Sequence, residues 1–288
     1  MRRGTSGRGI ARAVVALMFG AGLAAAPAMA AAPLRIGMVP DAGTTQVSID
    51  QKAPLQQYLS QKLGRPVELV IPTNYNATVE AIGNGSLDIA YFGGLTYVKA
   101  HARYGAVPLV QRDIDQKFHA LLIAHAGSNI TKLADLRGKS FCFGDINSTS
   151  GHLMPAMILK QAHLDPAKDF KSVRYTGSHP ATAQAVATGA CDAGAIDETV
   201  WKSLNDEHKV PAGAVSVFLT SRPFDDYVWA SRKDLDAGTR TAFARAMLAL
   251  KHGPDDAVLD VLRGDHYVPA SDGSYADVTR TARDLGLL

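Results

Sequence analysis

Asn147-Ser148-Thr149-Ser150-Gly151-His152 separates two patterns of different period. Before it, Ser140-Phe141-Cys142-Phe143-Gly144 reads as a short apolar strand; after it, residues 153–161 carry helical spacing. A strand that turns into a helix through small hydroxyl residues can cradle an anion. The first N–H groups of a helix have no intrahelical partner, and the helix dipole favours negative charge there. Ser148, Thr149 and Ser150 add side-chain donors, and Gly151 lets the backbone approach closely. The alternative is an ordinary Ser/Thr N-cap, and these six residues alone do not separate the two.

The same alternation runs outward from this stretch. Residues 34–39, 67–71 and 87–92 read as strands, and 53–62, 76–82 and 95–104 as helices. A second run places strands at 140–143, 172–175 and 193–196, with helices at 153–161 and 181–187. Such alternation predicts an α/β fold with parallel sheets and right-handed crossovers. Between the runs, 107–111 and 119–124 are strand patterns with no helix between them, which marks the passage from one lobe to the next. Helical segments at 239–251 and 275–285 are expected to return to the first lobe. The expected architecture is two doubly wound α/β lobes joined by a two-segment hinge near residues 114–118 and 222–225. Residues 31–117 form the first part of lobe one, 118–224 lobe two, and 225–288 the return segment. No low-complexity tract or solenoid repeat interrupts the pattern.

Residues 1–30 are excluded from this fold. Arg2, Arg3, Arg8 and Arg12 make a basic start, an apolar small-residue run follows, and Ala28-Met29-Ala30 is an A-x-A cleavage site. This is the form of a cleavable secretory signal peptide, which predicts a periplasmic protein. Arg2-Arg3 weakly suggests twin-arginine export, and no cysteine near the cleavage site offers a lipid anchor. Losing four leader arginines takes the formal charge from +3 to −1. A near-neutral chain has no electrostatic footprint for nucleic acid or anionic lipid, so any bound anion must be held by local donors. About 255 residues then remain, enough for two domains. Cys142 and Cys191 enter an oxidising compartment, where they form either a disulfide or two buried thiols. Each stands near the start of a predicted strand, and the first and third strands of a doubly wound lobe are often neighbours.

Two such lobes form a cleft, with helix N-termini at the carboxyl ends of the strands facing into it. Here the chain resembles the periplasmic phosphonate/phosphite-binding proteins of ABC transporters, with the type II solute-binding fold. The resemblance rests on Tyr75-Asn76-Ala77, on Asp88 to Thr96, and on Gly144 to Gly151. It continues through Gly177-Ser178-His179, Asp192 to Asp197, and Asp225-Asp226-Tyr227-Val228-Trp229, so it covers essentially the whole mature chain.

The resemblance implies a carrier that takes a phosphorus oxyanion to an inner-membrane ABC permease, acting as a monomer without cofactor or metal. The oxyanion carries one to two charges, and several charge-assisted hydrogen bonds, each worth about 1.5–3 kcal/mol, must offset its desolvation. Ser148, Thr149 and Ser150 would supply hydroxyls, and the N–H groups of Ser150, Gly151 and His152 the helix-end donors. The resemblance adds Tyr75 from lobe one and His179 from lobe two. Thr96 opens a helix whose N–H is a further candidate, and His119 is either a packed hinge histidine or a ligand contact. For an aminoalkyl cargo, the candidate partners of the ammonium are Asp197, Glu198 and Asp225. The family's glutamate aligns at Thr199, one position past Glu198, so this acid is misplaced.

Other classes fare worse. The nine histidines form no H-x-x-x-H cluster, and no G-x-S-x-G elbow sets a nucleophile beside a base. The competing readings are a carrier of another small anion, such as phosphate, a sulfonate or a carboxylate, and an exported enzyme on the same scaffold. A three-hydroxyl cradle favours a tetrahedral head with several acceptor oxygens.

Overall fold

The computed structural model describes residues 32–41 and 50–288; the signal-peptide reading of residues 1–30 lies outside them. Two sheets organise the described chain. The first has strand order β11-β4-β10-β3-β1-β2, the second β7-β6-β8-β5-β9. In chain order the first sheet uses β1 (Leu34–Met38), β2 (Val67–Val70), β3 (Ile89–Phe92) and β4 (Val107–Arg112). The chain then enters the second sheet with β5 (Ala120–His125), β6 (Ser140–Phe143), β7 (Ser172–Tyr175), β8 (Ala193–Asp197) and β9 (Val215–Thr220). It returns to the first with β10 (Val228–Ser231) and β11 (Tyr267–Pro269).

The expected pair of α/β lobes is present, but the sheets are mixed rather than parallel. β1 runs parallel to β2 and β3, and β6 runs parallel to β7 and β8. By contrast β10 is antiparallel to β3 and β4, and β5 is antiparallel to β8 and β9. The reason is the route of the chain. β5 and β10 enter their sheets directly from the other lobe, without the crossover helix that parallel pairing requires. The two crossing segments touch each other: Phe118 and Phe224 exchange backbone hydrogen bonds, both 3.0 Å.

Helices fill the connections. They are α1 (Ala53–Leu63), α2 (Tyr75–Gly83), α3 (Gly94–Tyr104), α4 (Met154–Gln161), α5 (Pro166–Asp169), α6 (His179–Ala187), α7 (Glu198–Asp206), α8 (Ala237–Leu248), α9 (Asp256–Leu262) and α10 (Ala276–Asp284). Side chains fix several starts. Asn74 accepts from Ala77 N at the head of α2, Ser178 from Ala181 N at α6, and Asp236 from Thr239 N at α8. The central strands β3 and β10 are buried along their whole length, as strands covered on both faces must be. In the return segment, β10 and β11 lie in the first sheet, and Tyr58 of α1 donates its hydroxyl to Ala246 O of α8 at 2.7 Å. Cys142 of β6 and Cys191, two residues before β8, are joined in a disulfide with Cα atoms 6.0 Å apart. The bridge lies in an apolar cluster with Ala183, Val186 and Ile196.

Candidate functional site

The functional side chains sit where strands end. β3 leads into Gly93 and α3, β6 into the Ser148 turn, β8 into Asp197 and α7; Tyr75 and His179 are the first residues of α2 and α6. The helix expected at Leu153 begins earlier, as a wide turn over Thr149–Leu153 in which Leu153 N donates to Ser148 O at 3.0 Å. Five-residue rings of this kind are rare and concentrate at functional sites. Ser148 caps the turn: its Oγ accepts from Gly151 N at 2.9 Å. Gly151 is required here. A Cβ would fall 2.9 Å from Ser148 Oγ, 3.0 Å from His179 Cε1 and 3.2 Å from Gly144 Cα.

Two buried donors stand out beside the acids around this turn, and the ring of one, His179, lies against Gly151. Neither the Tyr75 hydroxyl nor His179 Nε2 has a hydrogen-bond partner among the described residues, and both side chains are almost fully buried. The carboxylates of Asp41, Asp145 and Asp197 act on both groups, which places them in one locale. Burial pushes the Tyr75 hydroxyl well above its ordinary pKa, so it stays a donor. Burial lowers the His179 pKa despite Asp197 and Asp41, which keeps the ring neutral. Asp197 N–H donates to His179 Nδ1 at 3.3 Å, so the proton of the neutral ring is on Nε2. A buried polar atom without a partner costs about 1–3 kcal/mol, and a ligand oxygen is the natural partner for a donor.

The other predicted residues divide. Thr149 looks across the lobes: its Oγ1 accepts from Leu95 N at 3.0 Å. Beside it, Asp226 Oδ1 accepts from Gly94 N at 2.9 Å, while Asp226 Oδ2 has no partner among the described residues. Burial pushes the Asp226 carboxyl up to about 8 against the pull of Thr149 and the Gly94 N–H. A neutral acid there does not repel an oxyanion. Ser150 is buried in the turn. Thr96 is also buried, but its hydroxyl turns back to Gly93 O at 2.8 Å.

Several expectations need correction. The Gly151 N–H is taken by Ser148 Oγ and does not point to a ligand. For His152 the expected donor is the backbone N–H, which the ring contacts do not touch; its ring turns away, with Nδ1 2.7 Å from Ile146 O and Nε2 3.2 Å from the Tyr175 hydroxyl. His119 is a hinge residue: its N–H donates to Glu198 Oε1 at 2.7 Å and its Nδ1 lies 2.8 Å from Ser221 O. That contact also occupies Glu198. The Asp197 carboxylate is saturated, because Oδ1 accepts from Thr199 N, Thr199 Oγ1 and Val200 N, and Oδ2 from the Tyr227 hydroxyl at 2.8 Å. Asp225 turns to Gln111 Nε2 at 3.2 Å, and it is the next residue, Asp226, that faces the cradle. All three carboxylates expected to receive an ammonium thus have other partners. Asp226, Tyr227, Asp41 and Arg263 complete the surroundings, and sequence reasoning assigned none of them a role. The only signal for Asp226 was the acidic pair itself; for Arg263 there was none.

Comparisons with known proteins identify the family. A family model described as ABC transporter, phosphonate, periplasmic substrate-binding protein matches residues 36–275. The chain is 30% identical over 268 residues to a probable ABC transporter phosphite binding protein of Prochlorococcus marinus strain MIT 9301, covering 88% of this chain and 89% of that protein. The solved structure of that protein in complex with methylphosphonate superposes with a TM-score of 0.82 at 29% identity, over 88% of this chain and 98% of its own. A phosphate-import protein of Mycolicibacterium smegmatis is 30% identical over 204 residues, covering 65% of this chain and 64% of that protein.

Proposed function

The chain belongs to the family of periplasmic substrate-binding proteins of ABC phosphonate transporters, and from that premise we propose that it captures a small phosphorus oxyanion between its lobes. The family is one of transport proteins, not of enzymes, and works with a membrane permease. The single observation that carries the reading is the pair of partnerless buried donors, Tyr75 OH and His179 Nε2, set among the same carboxylates, with the His179 ring against Gly151 of the Ser148–Ser150 turn. Tyr75, Ser148, Ser150 and His179 bind the oxyanion directly in this reading. Thr149 holds the lobes together over it, and Gly151 allows the close approach. Residues 31–117 with 225–288 form one lobe and 118–224 the other, closing about the Phe118–Phe224 pair. The exported chain loses residues 1–30 and acts as a monomer in the periplasm.

The acids around the site bear on the cargo. Asp197, Glu198 and Asp225 already have partners, so an ammonium would enter unpaired, and a desolvated unpaired charge is costly. A phosphite or methylphosphonate is therefore preferred to 2-aminoethylphosphonate. The names of the relatives point the same way: one is a phosphite binding protein, and its solved structure holds methylphosphonate. Phosphate is the second reading, favoured by the phosphate-import relative. Thermal-shift screening with phosphite, methylphosphonate, 2-aminoethylphosphonate, phosphate and sulfate tests the proposal. Phosphite or methylphosphonate should give the largest shift; a shift with sulfate and with no phosphorus oxyanion would refute it.

A further inference from the structure

A closed ring of hydrogen bonds stands behind His179. Its backbone N–H donates to Asp41 O at 3.3 Å, and the Asp41 carboxylate pairs with the Arg263 guanidinium. Arg263 Nε donates to Thr199 Oγ1 at 3.3 Å, and Thr199 Oγ1 donates to Asp197 Oδ1 at 2.8 Å. Asp197 N–H returns to His179 Nδ1 at 3.3 Å and closes the ring. Asp41 and Arg263 belong to the lobe of the first sheet, whereas His179, Thr199 and Asp197 belong to the other. The ring therefore crosses between lobes twice, and the Tyr227–Asp197 bond adds a third crossing.

Arg263 is held in an uncommon state. It ends α9 with φ at 51°, a left-handed conformation that a bulky residue adopts only where its surroundings over-determine it. Those surroundings are visible. Arg112, buried against Asp115 at the start of the first crossing segment, donates to the carbonyls of Leu262 and Arg263 at 3.0 Å each. Burial opposes ionisation of Asp41, but Arg263 and Lys52 outweigh it and hold the carboxyl below its usual range. The outer side of Arg263 faces a groove of about 550 Å³ shared with Lys202, Asp206 and Asp260, and its guanidinium bonds go to Asp41 and Thr199.

We propose that Arg263 is a positioning residue for ligand capture: through Asp41 and Thr199 it ties the lobes together and holds His179 with its Nε2 proton facing the site. This rests on the carrier reading for its consequence, but not for its geometry. The charge pair sets Asp41, whose carbonyl anchors His179 N–H. The Thr199 contact sets the Asp197 turn, whose N–H fixes the tautomer of His179. Loss of Arg263 loosens both supports at once.

Imidazole ¹⁵N shifts of the full-length mature protein, assigned by difference with His179→Gln, report the tautomer without any ligand. Wild type should show an unprotonated Nδ1 and a protonated Nε2 at His179; Arg263→Gln should shift both signals toward a tautomer mixture. In titrations with methylphosphonate, Arg263→Gln should weaken binding about tenfold, and the loss should largely vanish in a His179→Gln background. Arg263→Lys, which keeps the charge but not the forked geometry, should fall between wild type and Gln, and gives the same readouts if the Gln variant does not fold. Unchanged His179 signals in the folded Arg263 variant, or additive losses in the double variant, would overturn the proposal. Absence of binding by wild type would count against the cargo and leave the tautomer result to decide this one.

Discussion

Two strand-to-helix turns face each other in this molecule, and they use the same local chemistry in opposite ways. At Gly93–Thr96 the N–H groups of Gly94 and Leu95 are occupied by Asp226 Oδ1 and Thr149 Oγ1, and the Thr96 hydroxyl bends back onto Gly93 O. At Ser148–Ser150 one hydroxyl caps the turn and another reaches across to the first turn, while the partnerless donors of Tyr75 and His179 crowd in from the sides. The first turn has its donors met from within the protein, by Asp226 and by Thr149 of the other lobe; the second is the one the proposed function gives to the ligand. A helix N-terminus offers unpaired N–H donors by its physics, but its neighbours decide whether a protein side chain or a cargo meets them.

The comparison is broken most strongly by removing the second turn's hydroxyls. Replacing Ser148, Thr149 and Ser150 together with alanine should abolish binding of phosphite and methylphosphonate, with the fold retained by circular dichroism. Each hydroxyl removed costs about 1–3 kcal/mol, against roughly 8 kcal/mol for a micromolar complex. Calorimetry measures it, and wild-type affinity in the triple variant would show the cradle to be only a helix cap.

A subtler probe acts on the first turn through pH. The Asp226 carboxyl is raised from 3.8 to about 8 by burial. Between those values the unfolded chain ionises this side chain while the folded protein keeps its proton. Its contribution to stability is therefore full below the unfolded pKa and is lost as pH rises through the folded one. Asp226→Asn removes the titration, so its melting temperature relative to wild type should climb steadily from pH 4 to pH 8. A difference independent of pH would mean that the carboxyl ionises normally.

The smallest effect belongs to the outermost link between the turns. Lys99 Nζ donates to Asn147 Oδ1 at 2.7 Å, joining α3 to the loop before Ser148. Lys99→Met should weaken binding by less than about tenfold, through faster ligand release, as stopped-flow kinetics would show. A loss as large as that of the triple variant would make Lys99 a ligand contact instead.

Much of this contrast was legible in the sequence, for a physical reason. Strands such as β3 and β6 are short apolar runs, and helices such as α2 and α8 announce themselves by an Asn or Asp cap. Strand direction was not legible: parallel and antiparallel strands share the same side-chain period, so β5 looked like its neighbours, and the four-residue β10 was not read as a strand. The edge strand β9 (Val215–Thr220), half-exposed along its length, and the seven-residue α9 carried too little pattern to be read. Within the site, Ser148–Ser150 lie in one local motif, and Tyr75 and His179 each begin a helix. Asp226 and Arg263 instead take their roles from partners 132 and 222 residues away, Gly94 and Asp41. Asp225 and Asp226 are adjacent in the irregular segment before β10, where no side-chain period says which of the two turns to Gln111 and which to Gly94.

The central claim is that two buried donors lack protein partners because a ligand oxygen is meant to meet them. Calorimetric titration of methylphosphonate into wild type and into the Tyr75→Phe, His179→Gln double variant tests this most directly. Tyr75→Phe breaks no hydrogen bond of the hydroxyl among the described residues, and His179→Gln keeps an amide oxygen to accept from Asp197 N–H in place of Nδ1, with circular dichroism as the fold control. Two charge-assisted bonds at about 1.5–3 kcal/mol each predict a loss of at least about a hundredfold in affinity. An unchanged dissociation constant in a folded double variant would contradict the account.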